Sequence, residues 1–137
     1  MKVKAFVAVS LALVMLLTAA APALAKPVTG DLYRIGDTSV TGTGTYALSV
    51  TKDNHLKVTI VLKGAAEANW EVAIFNSAST QITIGYFDTN SRGRGRFSGV
   101  TNVTFTNSDS PFTIRVYRHT GTPYYYFGAD NVPVTFR

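Results

Sequence analysis

The stretch that decides the fold is YALSVTKDNHLKVTIVLK, residues 46–63. Leu48 and Val50 alternate with small polar or neutral residues before a polar turn at 52–55. After the turn, apolar and polar residues largely alternate again, from Leu56 to Lys63. Two runs of period two joined by a short polar turn are typical of a β-hairpin with one buried face. The sequence therefore predicts an antiparallel hairpin in an all-β domain.

Strand-forming runs recur outside the hairpin at similar spacing. They are rich in Thr, Val, Tyr and Phe, which favour strands, and Gly and Ser mark the turns. The candidates are Trp70–Phe75, Gln81–Phe87, Phe97–Phe105, Phe112–Tyr117, Tyr124–Phe127 and Val132–Phe136. This pattern of seven or eight short strands predicts a single antiparallel β-sandwich over residues 40–137, immunoglobulin-like or jelly-roll-like.

Residues 1–25 have the layout of a secretory signal peptide. Two early lysines precede the apolar run Ala5–Leu17, and Ala23-Leu24-Ala25 supplies the small residues that signal peptidase reads. We expect cleavage before Lys26 and export to the extracellular space, the cell surface or the periplasm. An uncleaved anchor is the alternative, but the apolar run is shorter than the roughly 20 residues of a spanning helix. No later stretch approaches that length, so we expect no membrane insertion after cleavage.

The composition of the mature chain limits the classes of partner and site that we expect. Removal of 25 of the 137 residues leaves 112, the size of one small domain. The two leader lysines leave with it, so 11 basic residues face 8 acidic ones. This mild excess does not indicate nucleic-acid binding, which uses many phosphate contacts. Because cysteine is absent, disulfides, thiol catalysis and thiolate metal sites are excluded.

Residues 26–39 are the least patterned part of the mature chain. They carry a few apolar residues, among them Leu32 and Tyr33. We expect an N-terminal extension or an edge strand here. A segment that adds to the sheet of a neighbouring molecule is the alternative.

Arg92, Arg94 and Arg96 alternate with glycines and form the best polar candidate for a site. If a strand begins here, the three guanidinium groups share a face and could bind carboxylate, sulfate or phosphate. The alternative is a solvated hairpin whose arginines discourage edge-to-edge aggregation. The stretch from Asp88 resembles the start of an EF-hand calcium loop, but Gly99 stands where a glutamate is needed. A turn is therefore the better interpretation.

Tyr124–Phe127 is the densest aromatic run in the chain. In a strand, alternate residues face opposite sides, so one pair belongs to the core and the other lies outside. Outer tyrosine rings can stack on sugars or dock a protein. Tyr117 and Trp70 are candidate extensions of this surface. The alternative is a strand buried on both faces, or tyrosines packed at a sandwich edge.

No pattern in the chain indicates catalysis or a cofactor. His55 and His119 have no third ligand at metal spacing, and no Gly-x-Ser-x-Gly motif occurs. Glu67 and Glu71 flank Trp70, but 112 residues leave little room for the groove of a glycosidase. We expect no enzyme activity, no metal and no cofactor.

Val40-Thr41-Gly42-Thr43-Gly44-Thr45-Tyr46, which leads into the hairpin, resembles the start of chordin-type domains and of copper-zinc superoxide dismutase sandwiches. The histidines of those families are absent from the following strands, where this chain has Glu71–Phe75. The resemblance therefore implies a shared sandwich pattern and no activity.

These observations predict a secreted, non-catalytic binding or adhesion module for cell-surface glycans or acidic polymers. The alternative is a structural subunit of a surface layer, fibre or biofilm matrix that self-associates through strand edges. The candidate ligand-binding residues are Arg92, Arg94, Arg96, Tyr124, Tyr125 and Tyr126.

Overall fold

The computed structural model describes residues 26–36, 41–119 and 125–137, and these contain eight β-strands and no α-helix. The strands are β1 (Val28–Gly36), β2 (Thr43–Val50), β3 (Leu56–Lys63), β4 (Asn69–Phe75), β5 (Gln81–Asp88), β6 (Gly95–Val100), β7 (Phe112–Arg118) and β8 (Tyr125–Val132). A short 3-10 turn, Asn107–Asp109, precedes β7. The all-β prediction is confirmed. The predicted signal peptide and Tyr124 lie outside the described residues.

The strands form one antiparallel sheet in the order β5-β4-β7-β8-β1-β2-β3-β6. The two outermost strands, β5 and β6, lie against one another, so the sheet nearly closes into a barrel. Within the described residues no ladder joins them. Phe87 and Phe97 pack across this gap with ring centroids 6.2 Å apart. The finer division into an immunoglobulin-like or jelly-roll-like sandwich stays a prediction.

For residues 26–39 the sequence predicts an N-terminal extension or an edge strand. Their described part instead forms β1, an internal strand of the sheet. Val28–Leu32 pairs with β2, and Tyr33–Gly36 pairs with β8. The strand therefore lies inside the strand order and joins the two halves of the sheet. Leu32 is buried in the core. Its burial and the two ladders, which the local sequence does not reveal, hold this segment in the domain.

The predicted hairpin is confirmed as β2 and β3, which pair from Thr43 with Lys63 to Val50 with Leu56. The alternate residues Val58, Ile60 and Leu62 are fully buried on the inner face. Burial of such side chains is worth about 1.5–3 kcal/mol each, which fixes the register because a one-residue slip would expose them all.

Two candidate strands end earlier than the sequence predicts. The run Phe97–Phe105 stops being a strand at Val100, because the Thr101 hydroxyl donates a hydrogen bond to the Val103 carbonyl and turns the chain. The run Val132–Phe136 is no strand beyond Val132. Pro133 has no N–H for a ladder, and the next N–H, of Val134, donates to Ser110 Oγ instead.

Two aromatic clusters fill opposite ends of the interior. Trp70, Tyr125 and Phe127 pack with centroid separations of 5.6–5.8 Å near the ends of β3 and β5. Phe105, Phe112 and Phe136 pack at 5.2–5.9 Å at the other end. In the described ranges, no helix is long and apolar enough to cross a membrane.

Candidate functional site

The aromatic run 124–127 divides between the core and the surface. Tyr125 and Phe127 are fully buried, whereas Tyr126 faces outward and is half-buried. The Tyr125 hydroxyl accepts a hydrogen bond from the Ala66 N–H at 2.9 Å. Tyr125 is thus a core residue, not part of an outer ligand-binding surface. The same holds for Trp70, which is fully buried and does not extend the surface.

Tyr126 belongs to a row of outer side chains that crosses four strands. Tyr126 pairs with Tyr117, Tyr117 pairs with Glu71, and Glu71 pairs with Tyr86. The Tyr117 and Tyr126 rings lie 5.6 Å apart between centroids. The prediction that Tyr117 extends the aromatic surface is therefore correct in geometry. We call the outer surface of β5, β4, β7 and β8, with the adjoining Tyr33 of β1, the aromatic face.

Glu71 is held in place at the centre of the aromatic face. The Thr83 hydroxyl donates to one carboxylate oxygen at 3.0 Å, and His119 Nε2 lies 2.9 Å from the other. The His119 ring in turn packs edge-on against Tyr86, with centroids 5.4 Å apart. A carboxylate and an imidazole are thus fixed on the aromatic face, next to the exposed ring of Tyr86.

A second polar cluster lies on the same face, around Asp130. The Tyr33 hydroxyl donates to Asp130 Oδ2, and Arg115 Nη2 donates to Oδ1 at 2.8 Å. Arg115 lies next to Gly128, where an added Cβ would be 2.5 Å from Nη1. The glycine therefore makes room for the guanidinium group. Arg115 also donates to the Ile114 carbonyl at 2.9 Å, which fixes its orientation.

These contacts shift the pKa values in the Asp130 cluster. Hydrogen bonds from Tyr33 and then Arg115 lower the pKa of Asp130, because both stabilise the ionised form. Burial raises the pKa of Tyr33, and its hydrogen bond to Asp130 raises it further. Burial lowers the pKa of Arg115, but the hydrogen bond and charge of Asp130 outweigh this effect and raise it. Asp130 is thus ionised and Arg115 protonated at neutral pH.

The aromatic face is grooved, because small residues lie between the larger ones. Ala73 faces outward in the row beside Arg115, yet it is fully buried by the larger side chains around it. Next to this row is an open depression of about 350 Å³, lined by Phe75, Asn76, Ser79, Thr113, Arg115 and Tyr117. The face offers aromatic rings and fixed hydrogen-bonding groups along a shallow surface.

The three predicted arginines are all exposed, but they do not form one strand face. Strand β6 begins at Gly95, so only Arg96 is in the strand. Arg92 and Arg94 belong to the preceding turn, where their N–H groups both donate to Asn90 Oδ1 at 3.0 Å. Arg94 and Arg96 line one shallow depression on the outer surface. Arg92 does not line it.

Several residues of the aromatic face escaped the sequence-based prediction. The outward positions of Tyr33, Tyr86 and Arg115 follow from period two once the strands are known. The sequence does not show that β4, β7, β8 and β1 are neighbours, so it could not bring these side chains together. Among the described residues, no group of three or more His, Asp or Glu side chains is placed to hold a metal ion.

Comparison with known proteins adds no assignment: no family model, no curated protein and no solved structure matches this chain.

Proposed function

We propose that the mature chain is a secreted, non-catalytic binding module that recognises glycans through its aromatic face. The observation that carries the proposal is the cross-strand row of Tyr86, Glu71, Tyr117 and Tyr126 on an outer surface. Tyr33 and Tyr86, at 43% and 56% exposure, present further aromatic rings to solvent on the same face.

The chemistry of the aromatic face fits sugars. Tyrosine rings present flat apolar surfaces that stack on the C–H faces of pyranose rings, with a polar edge toward water. Glu71, Arg115 and Asp130 add directional hydrogen bonding at fixed positions. The depression is open rather than enclosed, which suits a stretch of an extended chain better than a small ligand.

The surroundings of Asp130 argue against a role for it as a general acid. A general acid must carry a proton near neutral pH, so its pKa is raised by its surroundings. The pKa of Asp130 is lowered instead, and Arg115 occupies one of its oxygens. Glu71 accepts a hydrogen bond from Thr83 and contacts His119. These contacts make both carboxylates positioning groups for hydroxyls.

Binding by tyrosine variants tests the proposal. The mature protein is titrated calorimetrically with neutral hexasaccharides of cellulose, xylan, chitin and mannan. For the best ligand, we expect Tyr126→Ala and Tyr117→Ala each to weaken binding about tenfold, or about 1.4 kcal/mol, which is more than most interface residues contribute. The exposed Val100→Ala on β6 is the matched control, with unchanged affinity. Absence of binding to all four, or equal losses in the control, would contradict the proposal.

A second candidate function, a self-assembling structural subunit, is favoured by the gap between β5 and β6. In the described residues each of these strands has a ladder on one side only, with β4 and β3 respectively. Such edges can pair with another chain. Deletion of residues 26–39 is no test, because it removes an internal strand. Sedimentation velocity over a hundredfold concentration range is suitable, and a constant monomer excludes assembly.

A further inference from the structure

We propose that a second surface, opposite in chemistry to the aromatic face, binds an acidic polysaccharide. This basic face consists of the outer surface of β3 and β6 and the turn residue that precedes β6. Its exposed cations are Lys57, Lys63, Arg94 and Arg96. The inference goes beyond the proposed glycan site, because the strands, the residues and the charge of the ligand all differ.

The strand register brings three of the cations together. Val61 pairs with Arg96, and continuation of the same ladder places Lys63 opposite Arg94. Neighbouring strands are about 4.8 Å apart, and residues two apart on one strand are separated by about 6.6 Å. Lys63, Arg94 and Arg96 line one shallow depression of about 290 Å³, with Val61 among its walls. The three positive charges therefore form a compact cluster.

No described carboxylate forms an ion pair with Lys63, Arg94 or Arg96. Arg115–Asp130 and Glu71–His119, which are ion pairs between described residues, both lie on the aromatic face. Asp31 lines a depression together with Lys63. Asp88 ends β5, which lies against β6. Neither carboxylate forms an ion pair with a cation of the cluster. The cations of the basic face are therefore exposed and not ion-paired within the described part of the chain, and they can attract an external anion.

The turn that carries Arg94 is rigidly docked on the rest of the domain. Gly93 has a φ of 71°, and its carbonyl accepts a hydrogen bond from the Ala65 N–H at 3.0 Å. Asn90 Oδ1 accepts from two N–H groups of the same turn. This fixation positions the Arg94 backbone before any ligand binds, which lowers the entropic cost of association.

The length of the basic face favours a polymer over a small anion. Lys57 and Lys63 are six residues apart on β3, or about 20 Å. Arginine binds carboxylate and sulfate with paired hydrogen bonds. An extended sugar chain with a carboxylate or sulfate on each residue or every second residue matches this spacing and chemistry. The proposed export of the protein makes a polysaccharide a better fit than a nucleic acid.

Binding to oligogalacturonate of defined length, measured in 50 mM salt, tests the proposal. We expect the double variant Arg94→Gln/Arg96→Gln to weaken binding at least about tenfold, and 300 mM salt to weaken the wild-type complex comparably. The matched control, Lys52→Gln/Arg137→Gln, removes the same net charge far from the cluster and should change affinity less than about twofold.

Three outcomes would overturn the assignment. These are absence of binding in low salt, equal losses in the two double variants, and tighter binding to a DNA duplex of similar charge. Tyr126→Ala separates the two proposals: it should leave oligogalacturonate binding unchanged, so the aromatic face can fail its own test while this one stands.

Discussion

Two threonine side chains, Thr89 and Thr101, are buried and tie the loops to the sheet. The Thr89 hydroxyl accepts from Trp70 Nε1 and the Ala68 N–H, both at 3.1 Å, and donates to the Ala66 carbonyl at 2.7 Å. At the other end, Thr101 Oγ1 accepts from the Leu56 N–H. The sequence gives no hint of this role for Thr89, because it lies in a polar turn where exposure is the ordinary outcome.

Replacement of Thr89 by valine should destabilise the fold by about 2–4 kcal/mol. The new side chain has nearly the same volume, so the loss comes from buried donors and a carbonyl left without a partner. Urea unfolding followed by the fluorescence of Trp70 measures the change. Thr45→Val, at an exposed position of β2, is the control and should stay within about 0.5 kcal/mol. A Thr89 variant as stable as this control would show that water replaces the lost bonds.

At the scale of the strands, the alternation of apolar and polar residues predicts the strands well. It predicts the contacts between their loops poorly. The hairpin β2–β3 is predicted with its inner face and nearly with its ends. The turn before β6 is recognisable from its Asn, Ser and Gly content. The docking of this turn against Ala65 cannot be recognised from the sequence, because the contact joins two loops about 28 positions apart in the chain. Only the folded sheet brings these loops together.

Gly93 and Gly64 provide a matched test of this docking. Both have a φ of 71°, so alanine has the same backbone cost at each, about 1–2 kcal/mol. At Gly93 an added Cβ would also lie 1.9 Å from the Ala65 carbonyl oxygen, whereas at Gly64 the nearest atom is 3.6 Å away.

We expect Gly93→Ala to lower the melting temperature considerably more than Gly64→Ala. The difference should exceed about 5 °C, the shift of roughly 1 kcal/mol in a domain of this size. Equal melting temperatures would mean that the turn can move away from Ala65, and Arg94 would then lose its fixed position.

At the scale of the whole molecule, the segment after β8 closes one end of the interior. Val134 and Phe136 are 5% and 4% exposed, although neither is in a strand. Side chains fix the backbone of this segment: Asn107 Oδ1 accepts from the Phe136 N–H at 2.6 Å, and Asn54 Oδ1 accepts from the Arg137 N–H at 3.1 Å. Val134 and Phe136 are thus part of the core.

Phe136→Ala should therefore reduce the free energy of unfolding by about 3–5 kcal/mol, the range for buried phenylalanine. That is a large share of the total stability of a small domain, about 5–15 kcal/mol. Val103→Ala, a truncation at an exposed apolar residue, should cost less than about 1 kcal/mol. Calorimetric or urea unfolding of both variants provides the comparison. Similar small losses in both would show that the tail does not hold the fold together.

Sequence alone is enough to predict the all-β class, most strands and the inner face of the β2–β3 hairpin. Period two is a local property of extended backbone, and the hydrophobic effect selects the apolar face for the core. The tertiary structure decided which outer residues are neighbours. Backbone ladders are nearly independent of side-chain identity, so nothing local specifies that β4 lies between β5 and β7. Because of that strand order, Tyr86, Tyr117 and Tyr126 share one surface while Tyr125 is buried beneath it.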